Sequence, residues 1–207
     1  MKNAIKIFSY KGVPIYLKYW FLILPLFLPP LLIFYLLIGV LIHELSHSLQ
    51  AKKLGYKTDY IFIDALYAGA LIDPKFTLNN KNAIKIILAG PLSNMILSVV
   101  AFILLTIITA IFGHINIVNN LLDFVIINLI LGIGNLIPIY PLDGGRISKS
   151  ILNIFYDRKK SRKINTIISI IMITTLIIFS IMLNYWLLLV FCILFLISSY
   201  FEWNKKQ

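Results

Sequence analysis

The sequence predicts an all-α polytopic membrane protein: six transmembrane helices with a small β-hairpin or sheet. Three observations carry that prediction. The 207 residues are 60% hydrophobic and only 13% charged, with a mean hydropathy of +0.92, well beyond the apolar share of an ordinary water-soluble domain. Several apolar runs approach the roughly 20 residues needed to cross about 30 Å of hydrocarbon. The 19 Lys and Arg collect in the gaps between those runs, where membrane orientation puts them, so the strong positive charge points to the lipid bilayer and not to nucleic acid. A single integral-membrane domain over residues 1–207 is expected.

Residues 1–16 interleave Lys2, Lys6 and Lys11 with Ile5, Ile7, Phe8, Val13 and Ile15, a partly alternating pattern that predicts a short strand or an interfacial segment. The first span is expected at residues 20–28, with Pro29 and Pro30 bending the chain into the next helix. No cleavable signal is expected, because this run starts only after Lys18, contains prolines and lacks a small-residue cleavage site. The second span begins near Leu31 and ends at Lys52-Lys53-Leu54-Gly55, with cations and a glycine where helices commonly stop. Residues 56–82 contain Tyr60-Ile61-Phe62-Ile63 and Ala68-Gly69-Ala70-Leu71-Ile72 and read as short strands and turns. Four further spans follow at about 83–112, 117–138, 164–183 and 185–203. Cys192 is the single cysteine, so an internal disulfide is excluded and its apolar setting implies packing.

With six spans, the N-terminus, residues 52–85, residues 146–163 and Lys205-Lys206 share one side and hold every Lys and Arg. The opposite connections, 113–120 and the turn at Asn184, hold none. The positive-inside rule then puts both termini in the cytoplasm and His47 near that face of the cell membrane.

His43-Glu44-Leu45-Ser46-His47 is the cluster that carries chemistry. Histidines four apart share a helix face and can direct two imidazoles at one metal, while Glu44 lies about 100° around, near the open coordination position. An acid at the centre of a membrane helix costs about 2.5–3.5 kcal/mol, so the cluster needs a partner, and a metal supplies one. The plainer reading is polar residues snorkelling at a helix end close to Lys52 and Lys53.

Catalytic zinc usually keeps three protein ligands and a water. Asp143 is the outstanding third candidate, because Pro138, Pro141, Gly144 and Gly145 around it would break a helix and free local backbone at membrane depth. Asp59, Asp64 and Asp73 fall in the strand region, Asp123 toward the far side, Asp157 among basic residues and Glu202 near the end of the chain. His114 reads as a solvated loop residue.

In chain order, His43 through His47, Ala89-Gly90-Pro91-Leu92-Ser93-Asn94, and Asn135 through Gly145 resemble the site-2 protease family of intramembrane metalloproteases. The resemblance implies one zinc ion per chain held by His43, His47 and Asp143, with Glu44 as the catalytic glutamate. It implies that Asn135 and Asn94 help hold substrate or the reacting carbonyl, although either could instead bond between helices. It further implies six spans with the strands beside the active site, and hydrolysis of a peptide bond in or near a membrane segment of a membrane-associated protein substrate. By analogy it suggests a membrane inhibitor subunit. The short chain, early motif and lack of a PDZ domain look most like the stage IV sporulation protease FB branch, which cleaves a pro-sigma factor. No CBS domain is expected, and the Ile, Lys and Asn richness fits an AT-rich bacterial genome. Two rivals stand beside this reading: a metallohydrolase with a glutamate as third ligand, for which Glu202 is the only other glutamate, and a non-enzymatic metal transporter or scaffold.

Overall fold

The computed structural model describes residues 3–64, 68–73, 79–113 and 116–204. His114 and Lys205-Lys206 lie outside the described residues, as do 65–67 and 74–78 of the expected strand region. The chain forms two compact units, one of residues 1–77 and 88–134, the other of residues 78–87 and 135–207.

In the first unit, β1 (Ala4–Tyr10) and β2 (Val13–Lys18) form an antiparallel hairpin. Its two-residue turn, Lys11-Gly12, has positive φ at both positions, the backbone that matches strand twist and that glycine adopts without penalty. The segment expected as the first membrane span is corrected here. It forms a 3-10 helix, Tyr19–Leu26, about 16 Å long at roughly 2 Å per residue and far short of a bilayer. Pro25 lies inside it and lacks the N–H that a continuing helix would use.

Helix α1 (Pro30–Lys53) starts with proline at its first position and ends on Lys52 and Lys53. The missing N–H costs nothing at the start, and the cations complement the helix dipole at the end. The next strands, β3 (Thr58–Ile63) and β4 (Ala68–Ile72), complete one four-stranded sheet in the order β1-β2-β3-β4. β2 and β3 run parallel, pairing Ile15 with Ile61 and Leu17 with Ile63. The sheet buries Ile15, Ile61 and Ile63 with Phe21 against Ile33, Leu37, Val40, Leu41 and Leu45 of α1. This stripe at helical spacing is the apolar face that seats α1 on the sheet. Helix α2 (Asn80–Phe112), which contains Pro91, and helix α3 (Asn116–Gly134) follow. α1 packs against α3, and Ser98 on α2 donates to the Val125 carbonyl at 2.9 Å.

In the second unit, the turn after α3 leads into α4 (Asp143–Phe155), α5 (Arg158–Met182) and α6 (Trp186–Asn204). The Gly144 N–H donates to the Asn135 carbonyl at 2.6 Å. A Cβ on Gly145 would meet the Ile139 carbonyl carbon at 2.5 Å, so the start of α4 tolerates no side chain there. Asp157 caps α5 by accepting the Lys160 N–H at 2.7 Å. Cys192 is wholly buried with Ile139 and Ile173.

α1, α2, α5 and α6 are long and apolar enough to cross a membrane, and α3 carries a shorter apolar stretch, Val118–Gly134. Large apolar side chains stand exposed along these helices, among them Ile96, Phe102 and Ile103 on α2, Ile171 and Ile178 on α5, and Leu187 and Val190 on α6. Asn94, Asn128, Ser169 and Ser199 are buried instead. Water would penalise so much contiguous apolar surface, whereas lipid accepts it. The chain is a multi-pass membrane protein. Four of the expected spans correspond to helices long and apolar enough to cross a membrane.

Candidate active site

Helix α1 turns about 100° per residue, so His43 and His47 emerge one above the other. Both are 6% exposed, as is Glu44. Their rings stand 4.7 Å apart and nearly perpendicular. The ligand atoms of His43, Glu44 and His47 all lie within 4.8 Å of one another. Glu44, one residue on from His43, emerges on the side of α1 that carries Val40, Leu41 and Leu45, the side seated on the sheet. The carboxylate therefore stands between the two imidazoles and the strands.

Gly90 of α2 closes the cluster. A Cβ at Gly90 would fall 2.7 Å from His43 Nε2 and would overlap Nε2 and Cε1 of His47. The two Nε2 atoms thus converge on a place that only a residue without a side chain leaves open. Two imidazole nitrogens with a carboxylate beside them are the chemistry of a catalytic zinc site, and the residues present fit that ion.

Asn94 is fully buried. Its Oδ1 meets His43 Nδ1 at 2.6 Å, and its Nδ2 donates to the Gly39 carbonyl at 3.0 Å and to Asn128 Oδ1 at 2.9 Å. Asn94, expected to help hold substrate, has its amide bonded to α1 and α3 and no accessible surface. Gly90 and Asn128 are site residues that sequence reasoning missed. The available signal was a polar residue, Asn128, set in an apolar helix.

Asp143 and Asn135 belong to the second unit. Asp143 opens α4 and is 6% exposed, with Arg146 Nη1 at 3.5 Å from its Oδ1. Asn135 is half-buried in the turn that its carbonyl ties to Gly144. The weaker acidic candidates have other engagements. Asp64 pairs with Lys18 at 3.0 Å, Asp157 caps α5, and Glu202 forms an ion pair with Lys149.

Residues 31–120 and 107–179 match the family described as Peptidase family M50. A zinc metalloprotease of Methanocaldococcus jannaschii is 34% identical over 176 residues, covering 79% of this chain and 50% of that protein. A relative from Synechocystis sp. is 31% identical over 184 residues, covering 73% of this chain and 45% of its own length. The chain therefore spans about half the length of these curated relatives. Among solved structures, a site-2 protease from Methanocaldococcus jannaschii superposes with a TM-score of 0.72 at 29% identity, covering 99% of this chain and 97% of that one.

Proposed function

Because the chain belongs to peptidase family M50, we propose that it is a zinc-dependent intramembrane protease hydrolysing a peptide bond in or beside a membrane segment of another protein. One observation carries this reading: two histidine Nε2 atoms converge on Gly90, with the Glu44 carboxylate beside them. We assign His43, His47 and Asp143 as the zinc ligands. The burial of Asp143 at the start of α4 and the usual demand for three protein ligands support the third. Bound there, zinc supplies a Lewis acid that polarises a peptide carbonyl and lowers the pKa of water toward about 7.

Glu44 accepts the proton of the attacking water and returns it to the departing amine. Its position between the imidazoles and the sheet suits that transfer. A substrate helix has its backbone hydrogen bonds satisfied internally and must unwind to be cut. β4 stands last in the sheet, so its outer edge is available to pair with the extended segment. Because the sheet lies along α1 from Ile33 to Leu45, a strand added there would run beside Glu44. We assign Asn135 to holding the scissile carbonyl, supported by the family resemblance and its position in the turn before α4.

For orientation, β1 and β2 share a sheet with β3 and β4, and the α1–α2 connection is rich in lysine. We assign that lysine-rich side to the cytoplasm. By the family resemblance alone we extend the reading to a pro-sigma substrate, and by the Ile, Lys and Asn richness to a bacterial source.

The test uses purified protein in liposomes with a substrate protein carrying one membrane segment. Chelation should abolish cleavage, one equivalent of zinc should restore it, and His43→Ala and Asp143→Ala should each lose zinc. Cleavage that survives chelation would overturn the reading, and zinc retained without Asp143 would remove the third ligand.

A further inference from the structure

The hydrogen bonds around Asn94 determine more than helix packing. A backbone carbonyl can only accept, so the Asn128 atom 2.9 Å from the Phe124 carbonyl is its Nδ2. Asn128 therefore turns Oδ1 toward Asn94. That oxygen and the Gly39 carbonyl are both acceptors, at 2.9 and 3.0 Å, and together they require Nδ2 of Asn94 on their side. The remaining Asn94 atom, Oδ1, then faces His43 Nδ1 at 2.6 Å. An acceptor at that distance requires a hydrogen on Nδ1. A neutral imidazole carries only one, so Nε2 is left with its lone pair. Nε2 is the atom that points at the Gly90 cradle.

The orientation of His43 is thus dictated by two backbone carbonyls, on α1 and α3, through two amides. Gly39 lies one turn before His43, and a Cβ there would come within 2.9 Å of Asn128 Oδ1 and 2.8 Å of Leu131. The bare backbone at Gly39 is what lets the asparagine pair approach α1.

We propose that Asn94, itself oriented by Asn128, is a positioning residue that locks His43 in the Nδ1–H tautomer and so presents Nε2 to the metal. This rests on the metalloprotease reading of the site. Removing such a partner of a metal-binding histidine typically weakens metal binding by about 10–100-fold, whereas a residue that only joins helices would change stability and leave the tautomer and zinc affinity alone.

Two measurements test it, neither of which needs substrate. In metal-free wild type with 15N-labelled histidine, identified by comparison with His43→Ala, His43 should show the Nδ1–H tautomer. Finding Nε2–H in its place overturns the proposal with no further variant. In chelator competition with zinc alone, Asn94→Leu should bind about 10–100-fold more weakly. Asn94→Asp keeps an acceptor for Nδ1–H and should recover most of that loss. Equal zinc affinity for wild type and Asn94→Leu overturns the proposal. If wild type binds no zinc, the metal reading falls and takes this proposal with it. If zinc binds as described but no peptide is cut, the protease reading falls and the positioning role stands.

Discussion

Glu44 in the first unit and Glu202 in the second are the chain's two glutamates, and both are buried, at 6% and 4% exposure. A carboxylate in that setting must have its charge compensated. For Glu202 the compensation is part of the sequence, since Lys149 of α4 reaches it on α6. Glu44 instead sits beside two imidazoles packed against Gly90. A site that gathers donors in this way is built to receive positive charge from outside the chain. The same residue type is thus a tie between two helices at Glu202 and part of a histidine-carboxylate cluster at Glu44.

Substitutions at these two positions should separate the roles. Glu44→Gln should lower turnover by about 10²–10⁴-fold while zinc per chain stays at the wild-type level. Loss of zinc as well would make Glu44 a ligand and break the contrast. Glu202→Gln should leave turnover per folded molecule unchanged but destabilise the protein by about 3 kcal/mol, the lower end for a broken buried pair because Lys149 is partly exposed. A lowered thermal unfolding midpoint would report this, and combining Glu202→Leu with Lys149→Met should recover most of it.

Gly90→Ala sharpens the comparison from the donor side. Its methyl must displace the imidazoles at a cost of about 1–3 kcal/mol, to be read as weaker zinc binding in chelator competition with helix content preserved. The smallest effect is expected where a neutral polar group lacks compensation. Asn165 is 1% exposed, and neither of its amide atoms has a hydrogen-bond partner among the described residues, so Asn165→Leu should stabilise by about 1 kcal/mol. A destabilised variant would point to a buried water at that amide.

The helical repeat made part of the site legible in advance. His43 and His47 share a face because they are four apart. What sequence reasoning could not reach was set by contacts between elements. His43 meets Asn94 across 51 residues, Asn94 meets Asn128 across 34, and Lys149 meets Glu202 across 53; no local period encodes such pairs. Gly90 was visible as a letter in Ala89-Gly90-Pro91, but its purpose is the space that the histidines occupy. The expected span at 20–28 failed for a local reason: apolar character suggested a crossing, while Pro25, Pro29 and Pro30 held the segment to a short 3-10 helix.

The parallel pairing of β2 with β3 also constrains how the protein is made. Parallel neighbours need a crossover, and here the crossover is the 3-10 helix together with α1. The β1–β2 hairpin leaves the ribosome first, with the β2 edge unpaired and Ile15 uncovered, and it must wait until α1 and residues 58–63 have been synthesised. Synthesis of the helix bearing His43 and His47 therefore precedes closure of the sheet. During that interval the early hairpin is the part of the nascent chain most exposed to wrong strand partners.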